Sequence, residues 1–313
     1  MQNNLIAIDG GGTKTEFALF TKNGQVLQAF KLAGSNPNGI GGTASNKIIA
    51  SGINKILADE PNISAVFAGI SGLSIGDNDK NLRDFLKTTY PSIKIAADSD
   101  LYNVLQSSPT PAKIAAICGT GSVVFVEKDD NTFQYIGGYG HLFDDAGSAY
   151  HIGRDAISAA LYQQDGSGEH TQITPLLQQV LGDDVRDSLD LIYQKGKDYI
   201  ASFARIVFTA FSQGDDVAAQ ILQRNAKYLA DLISTAINVH NGGRKIILQG
   251  GVFENCSDIF LPLIKQHLPK DIEFILPDLP PIFGACVECC KRFKIDVGED
   301  FYDNFKKSYI VKL

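Results

Sequence analysis

The sequence predicts an α/β protein of two domains, and three observations carry that prediction. Short apolar runs alternate with segments of helical periodicity through the first hundred residues, the pattern of parallel strands joined by crossover helices. A glycine-rich hairpin near the N-terminus returns later, with Cys118 falling on Asp9 at an offset of 118 − 9 = 109 residues, the size of one ordinary domain. At 313 residues, the chain is long enough for two such domains. The expected division is residues 1–112, residues 113–292, and a tail, 293–313, that packs back on the first domain.

The first element is Leu5-Ile-Ala-Ile-Asp9, an apolar run ending on a carboxylate. Gly10-Gly-Gly-Thr13-Lys14 turns it into a second run through Phe20, which Lys22-Asn-Gly24 closes. Neither GxxxxGK[ST] nor GxGxxG fits, and the run after the turn is too short for a helix, so this is a hairpin. Its glycines let main-chain N–H groups approach an anion and adopt positive φ, with Thr13 and Lys14 supplementing the nest, and Asp9 stands where a hydrated magnesium ion would sit beside phosphate. A tight turn and nothing more is the plain alternative.

A third strand spans 25–30, and Gly34-Ser-Asn36-Pro-Asn38-Gly is a loop of turn formers. Asn36 and Asn38 have the chemistry to bind a polyol, or to form an Asx-turn ahead of the next helix. Thr43 to Ala58 is helical in period, Ala65 to Ile70 is a buried strand ending in Ser71-Gly72, Asn78 to Thr89 is a helix and Ile93 to Ala97 a strand. That strand delivers Asp98 and Asp100 at its carboxyl end, where open α/β sheets bind ligands. Asp98 is thus a candidate base or, equally, the cap of the helix starting near Asp100.

After Ser107-Ser-Pro-Thr-Pro111 the opening pattern repeats as Ile114 to Cys118, Gly119-Thr-Gly-Ser122, a strand to Glu127, a turn Lys128 to Asn131 and a third strand Phe133 to Gly137. Two such hairpins on opposite walls of a cleft would grip a polyphosphate from both sides. Gly138-Tyr-Gly-His-Leu-Phe-Asp144-Asp145-Ala-Gly-Ser148 follows, a glycine-rich loop with paired acids leading into a helix that Ser148 is able to cap. Residues 174–241 are helical in pattern, and Lys245 to Gln249 is a buried strand ending in Gly250-Gly251, where bare backbone lets a flat ring or a phosphate come close. Glu273 to Leu276 is the last strand, and Gly284 onward the last helix.

Composition narrows the function. With 44% hydrophobic and 20% charged residues the chain reads as globular, and a net charge of −7 argues against a nucleic acid or an acidic membrane as partner. The N-terminus enters the first strand with no basic leader, and no apolar run reaches membrane-spanning length, so the cytoplasm is the expected compartment. Five cysteines, an odd number, do not suggest a disulfide framework. Cys286, Cys289 and Cys290 share one face of the last helix, and with no second pair or nearby histidine to complete a four-ligand set they read as core residues.

Asp9-Gly-Gly-Gly-Thr-Lys-Thr, Cys118-Gly-Thr-Gly-Ser, Gln249-Gly-Gly-Val and Pro281-Ile-Phe-Gly-Ala285 stand in the order of the phosphate-1, phosphate-2, adenosine and second connecting motifs of the sugar kinase, heat-shock ATPase and actin superfamily, which the chain resembles from about residue 5 to residue 290. Gly138-Tyr-Gly-His and Asp145-x-Gly-Ser-Ala-Tyr are similar to its BadF/BadG-type ATPase branch, which contains N-acetylglucosamine kinase. The resemblance implies two ribonuclease-H-like domains around a cleft for ATP, Mg²⁺ and an amino sugar, with a homodimer left open. By it, Asp98 would be the base that takes the proton of the sugar's 6-hydroxyl, and Asn36, Gly119, Gly138, Tyr139 and Asp145 would line the sugar. Gly11, Gly12, Thr13, Lys14, Thr120, Gly121 and Ser122 would hold phosphates, Gly250 and Gly251 would lie under the adenosine, and Asp9 would position magnesium.

Two positions depart from the kinase pattern: Tyr139 replaces a tryptophan, and Ala146 a glutamate. The second loses a charge beside the sugar, which keeps N-acetylmuramic acid and glucosamine among the expected substrates. The rival expectations are an iron–sulfur ATPase that activates a dehydratase and a non-catalytic sugar sensor.

Overall fold

The computed structural model describes residues 4–110, 112–130, 132–240 and 243–310, and the chain forms two compact units, 1–111 with 277–313, and 112–276. The expected turn at Lys128–Asn131 is therefore described to Asp130 only, and the tail to Ile310.

The first unit opens with β1 (Asn4–Gly10), β2 (Lys14–Phe20) and β3 (Val26–Ala33), an antiparallel meander. α1 (Pro37–Ile40) and α2 (Gly42–Asp59) lead to β4 (Ile63–Ile70), α3 (Asn78–Thr89), β5 (Lys94–Asp98) and α4 (Leu101–Leu105). β4 and β5 add in parallel, so the sheet order is β3-β2-β1-β4-β5. Alternation along β1 splits its side chains between two layers, as a period of two requires. Ile6 and Ile8 pack with Ile49, Ile53 and Leu82 of α2 and α3, while Leu5 and Ala7 face a second cluster that includes Phe283 and Cys286.

The second unit repeats the plan. β6 (Ile114–Cys118), β7 (Ser122–Glu127) and β8 (Phe133–Ile136) form its meander. Five helices follow: α5 (Ala149–Asp165), α6 (Ile173–Leu181), α7 (Leu189–Ser202), α8 (Ala204–Ser212) and α9 (Asp216–Val239). β9 (Lys245–Gln249), α10 (Gly251–Lys265) and β10 (Glu273–Ile275) complete it. The order β8-β7-β6-β9-β10, with β6, β9 and β10 parallel, matches the first sheet strand for strand. Both units are ribonuclease-H-like, and the repeat read from the 109-residue offset is a repeat of topology.

The expected boundary at residue 292 needs correcting, because α11 (Pro281–Arg292) and α12 (Phe301–Ser308) belong to the first unit. Cys286, Cys289 and Cys290 are buried with Phe283 against β1, and the Cys289 thiol donates to Ile6 O at 3.7 Å. Burial lifts the Cys290 thiol to about 12, so these cysteines are packed as neutral side chains. A Cβ on Gly284 would lie 1.8 Å from Asn103 O, so only glycine lets α11 come this close to α4. On α12, Phe301 and Phe305 are buried beside Phe283, each such ring contributing roughly 1.5–3 kcal/mol. The Tyr309 hydroxyl donates to Glu16 of β2. Among the described residues no helix is long and apolar enough to cross a membrane.

Candidate active site

In the first unit, Asp9, Gly69 and Asp98 stand in one cross-strand row where β1, β4 and β5 end. Asn103 on α4 ties the row together, its Nδ2 donating to Asp9 Oδ1 at 2.7 Å and to Gly69 O at 3.1 Å. Desolvation raises Asp9 from the usual carboxylate value to about 6, with the Asn103 bond opposing and the Glu16 charge assisting.

The two aspartates that close β5 differ. Asp98 is a third exposed and held by Arg292, whose Nη2 lies 2.9 Å from Asp98 Oδ2, while Arg292 Nε reaches Glu288 at 2.6 Å. Asp98 Oδ1 accepts from Ser99 N at 2.8 Å, and the Ser99 hydroxyl, not Asp98, caps toward Leu101 N. Asp100 lies in a drier place: desolvation, then the charge of Asp9, raises it to about 7, against hydrogen bonds from the Ser99 and Ser71 hydroxyls. Ser71 Oγ in turn accepts from Asn36 Nδ2 at 3.4 Å. Asn36 Oδ1 takes Asn38 N at 2.9 Å, the Asx-turn that starts α1, and Asn38 Oδ1 takes Asn78 Nδ2 at 3.0 Å. A polar line thus runs from the asparagines through Ser71 to Asp100.

Gly11 N closes the first hairpin on Lys14 O at 2.9 Å, and Gly12, Thr13 and Lys14 stand exposed with open space beside Gly12. None of Gly10, Gly11 and Gly12 has positive φ, so their smallness gives room for an anion rather than an unusual backbone.

In the second unit, Gly119 N closes the matching turn on Gly121 O at 2.9 Å. The N–H groups of Ala149 and Tyr150, at the start of α5, then donate to Gly119 O and Thr120 O at 2.9 and 3.2 Å. Thr120 is exposed, but Ser122 is buried, and its hydroxyl donates to Ala146 O at 2.6 Å, which sets it behind the loop and not at its surface. Asp145 is behind the loop too. It is 3% exposed, with φ at 68°, and its carboxylate accepts from Ser122 N at 3.3 Å and pairs with Lys197 Nζ at 2.7 Å. Tyr139 is 72% exposed, on a loop that Gly137, Gly138 and Gly140 bend through positive φ.

Gly250 turns β9 into α10 at φ 102°, and a Cβ there would meet Cys118 O at 2.5 Å, so this junction requires glycine. Beside it is a cavity of about 390 Å³ whose walls include Gly119, Thr120, Ala149, Gly251, Arg205 and Asn255, in the size range of small-ligand sites.

The model of the BadF/BadG/BcrA/BcrD ATPase family matches residues 6–288. The chain belongs to that family. Among relatives of this BadF/BadG/BcrA/BcrD chain is the N-acetylmuramic acid/N-acetylglucosamine kinase of Clostridium acetobutylicum, 29% identical over 90% of this chain and 97% of that protein. The N-acetyl-D-glucosamine kinase of Dictyostelium discoideum is 28% identical over 90% and 96%. A candidate N-acetylglucosamine kinase structure from Porphyromonas gingivalis has a TM-score of 0.68 at 18% identity, covering 93% of this chain and all of that one, which speaks to the fold of the family member.

Sequence reasoning brought Asp9, Asn36 and the β5 aspartates to one end of one sheet, and Gly119, Thr120 and Gly251 to one cavity. It missed Ser71, Asn103, Lys197 and Arg292, whose parts depend on contacts between distant segments, although Asn103 lies one turn beyond Asp100 on α4.

Proposed function

We propose that the protein is an ATP-dependent kinase of amino sugars, transferring a phosphoryl group to the 6-hydroxyl of N-acetylglucosamine or a close relative such as N-acetylmuramic acid or glucosamine. The observation that supports this most is the line Asn36–Ser71–Asp100 at the strand ends of the first unit, which sets hydroxyl-binding amides beside a carboxylate of raised basicity. Family membership and the named activities of the two kinase relatives point the same way.

Phosphoryl transfer asks little covalent chemistry of the protein beyond positioning, charge neutralisation and a carboxylate at the acceptor oxygen. Asp98 is the expected carboxylate, but its Oδ2 is engaged by Arg292 Nη2 at 2.9 Å, and we assign the role to Asp100 instead. A carboxylate near 7 is about half ionised at neutral pH, and its ionised form is basic enough to accept the hydroxyl proton as the new bond forms. Ser71 and Ser99 orient Asp100 through their hydroxyls, and Arg292 fixes the end of β5 by clamping Asp98.

The residues present fit a divalent cation. Asp9 and Asp100 are two desolvated carboxylates that a positive charge would relieve, and Mg²⁺ takes one or two carboxylates together with phosphate oxygens. Asp9, oriented by Asn103, would hold Mg²⁺, which when bound neutralises charge on the phosphates. Gly12, Thr13 and Lys14 in the first unit, and Gly119, Thr120 and Gly121 in the second, offer backbone N–H groups and a cation to phosphate oxygens. The cavity beside Gly250 and Gly251 has the size for the adenosine moiety. Ser122 and Asp145 hold the second hairpin in shape from behind.

The dehydratase-activator reading gains nothing from the cysteines of α11, which are buried against β1 with their thiols held neutral. The test is ADP release from ATP-Mg²⁺ against N-acetylglucosamine, N-acetylmuramic acid, glucosamine, N-acetylmannosamine and glucose. Strong stimulation by one or two amino sugars is expected, and ATP hydrolysis indifferent to every sugar would overturn the kinase reading.

A further inference from the structure

The second unit carries another cavity, of about 440 Å³, on the outer part of its helical layer between α5 and α9. Its floor is Asp155, a buried carboxylate that two arginines share. Arg154 Nη2 reaches Asp155 Oδ1 and Arg224 Nη2 reaches Asp155 Oδ2, each at 2.9 Å, Arg154 Nε reaches Oδ1 at 3.3 Å, and Asn225 Nδ2 adds a fourth bond at 3.0 Å. Against desolvation, the Arg224, Arg154 and Asn225 bonds hold Asp155 below the usual carboxylate range, so it is ionised. Two guanidinium charges and one carboxylate leave the cluster with one net positive charge, in a chain whose own net charge is −7.

This arrangement is more than a structural ion pair. Both arginines are about half exposed and line the cavity, anchored by the carboxylate beneath them and so set in position before any ligand arrives. Arg224 spends only Nη2 on Asp155, which leaves the rest of its planar fork for an oxyanion. Ser158 and Gln220 supply hydroxyl and amide groups, and Tyr162, with Val217, supplies a flat apolar face. A bare inorganic ion would use only the arginines, whereas a phosphorylated monosaccharide fits within about 440 Å³ and uses all three kinds of wall.

We infer that this cavity is a second ligand site, separate from the nucleotide cavity, that takes a small organic phosphate of sugar-phosphate size. These two cavities are linked by one rigid element: Ala149, at the start of α5, bonds the Gly119 carbonyl of the hairpin, and Arg154 lies five residues further along the same helix.

The experiment is isothermal titration of the full chain with glucose 6-phosphate and, separately, with inorganic phosphate, in the presence of saturating N-acetylglucosamine and ADP-Mg²⁺ to occupy the site proposed above. Saturable binding of glucose 6-phosphate is expected to persist under that block, to exceed inorganic phosphate in affinity at least tenfold, and to weaken tenfold or more in Arg224→Gln. Because Arg224→Gln disturbs the support of Asp155, Gln220→Glu provides the second variant: it is exposed, leaves the ion pairs untouched and places a negative charge in the cavity. No saturable binding under the block, or binding unchanged in Gln220→Glu, would overturn the inference. Neither outcome depends on whether the chain phosphorylates a sugar.

Discussion

Arg292 grips Asp98 at 2.9 Å from a helix 194 positions further along the chain (292 − 98), and two residues beyond Asp98 the carboxyl of Asp100 is raised to about 7. We assign Asp98 as the anchor of the pair and Asp100 as the proton acceptor. Removing each in turn separates the roles. Asp100→Asn should lower kcat by about 10²- to 10⁴-fold while leaving nucleotide affinity nearly unchanged, and Asp98→Asn should cost less than about tenfold. Steady-state kinetics of both variants checks this, and the reverse ranking would return the base to Asp98.

The pH profile follows from the same carboxyl. Asp100 accepts a proton only when ionised, so kcat/KM should fall about tenfold per unit below pH 7, where the group is protonated, and level off above it. A bound cation favours the ionised form, so the break should move to lower pH at saturating ATP-Mg²⁺. A profile flat from pH 5 to 8 would contradict the assignment.

Stability should move opposite to activity. Asp100 is raised in the folded state, so the unfolded chain ionises first, and the fold loses stability as pH rises from about 4 through 7. Asp100→Asn removes that penalty, by roughly 1–3 kcal/mol above pH 7, and should raise Tm by a few degrees there and not at pH 4. Differential scanning calorimetry of the metal-free protein at the two pH values measures it.

Lys197, about a third exposed, pairs with the buried Asp145 behind the second hairpin. Lys197→Met strands the Asp145 carboxylate and should destabilise the protein by roughly 2–4 kcal/mol, and Lys197→Met with Asp145→Asn should recover part of that loss. Urea unfolding of the single and double variants gives the coupling.

Gly250→Ala forces a side chain into the Cys118 carbonyl and into a backbone conformation that alanine rarely adopts. A cost of roughly 1–3 kcal/mol is expected, with ATP affinity falling more than sugar affinity. Equilibrium binding of each ligand to the variant tests the contrast.

Strand alternation, two glycine-rich hairpins and an aspartate at a strand end were legible in the sequence because each is local: a period of two, a run of turn formers, a charged residue closing an apolar run. The topological repeat was legible for the same reason, since Cys118 and Asp9 close equivalent strands. What the sequence left open was set by distant contacts. Asp98 and Asp100 look alike along the chain, and contacts such as Arg292 from α11 and Ser71 just past β4 tell them apart. The sequence offers Ser122 to phosphate and Asp145 to sugar, and only the fold shows the Ser122 hydroxyl on the Ala146 carbonyl and Lys197 beside Asp145. The boundary at residue 292 failed because a helix that packs on β1 is, in the sequence, only the helix that follows the last strand.

That helix has a consequence for how the protein is made. The first unit needs α11 to cover Leu5 and Ala7, and the Arg292 clamp to hold the end of β5, yet α11 is synthesised after the whole of the second unit. During translation the order of completion is therefore inverted. The later unit has all its strands and helices once residue 276 is out of the ribosome, whereas the earlier one waits with one sheet face bare until the final segment arrives. A chain cut short after residue 276 should release an intact second unit and an exposed, protease-sensitive first one.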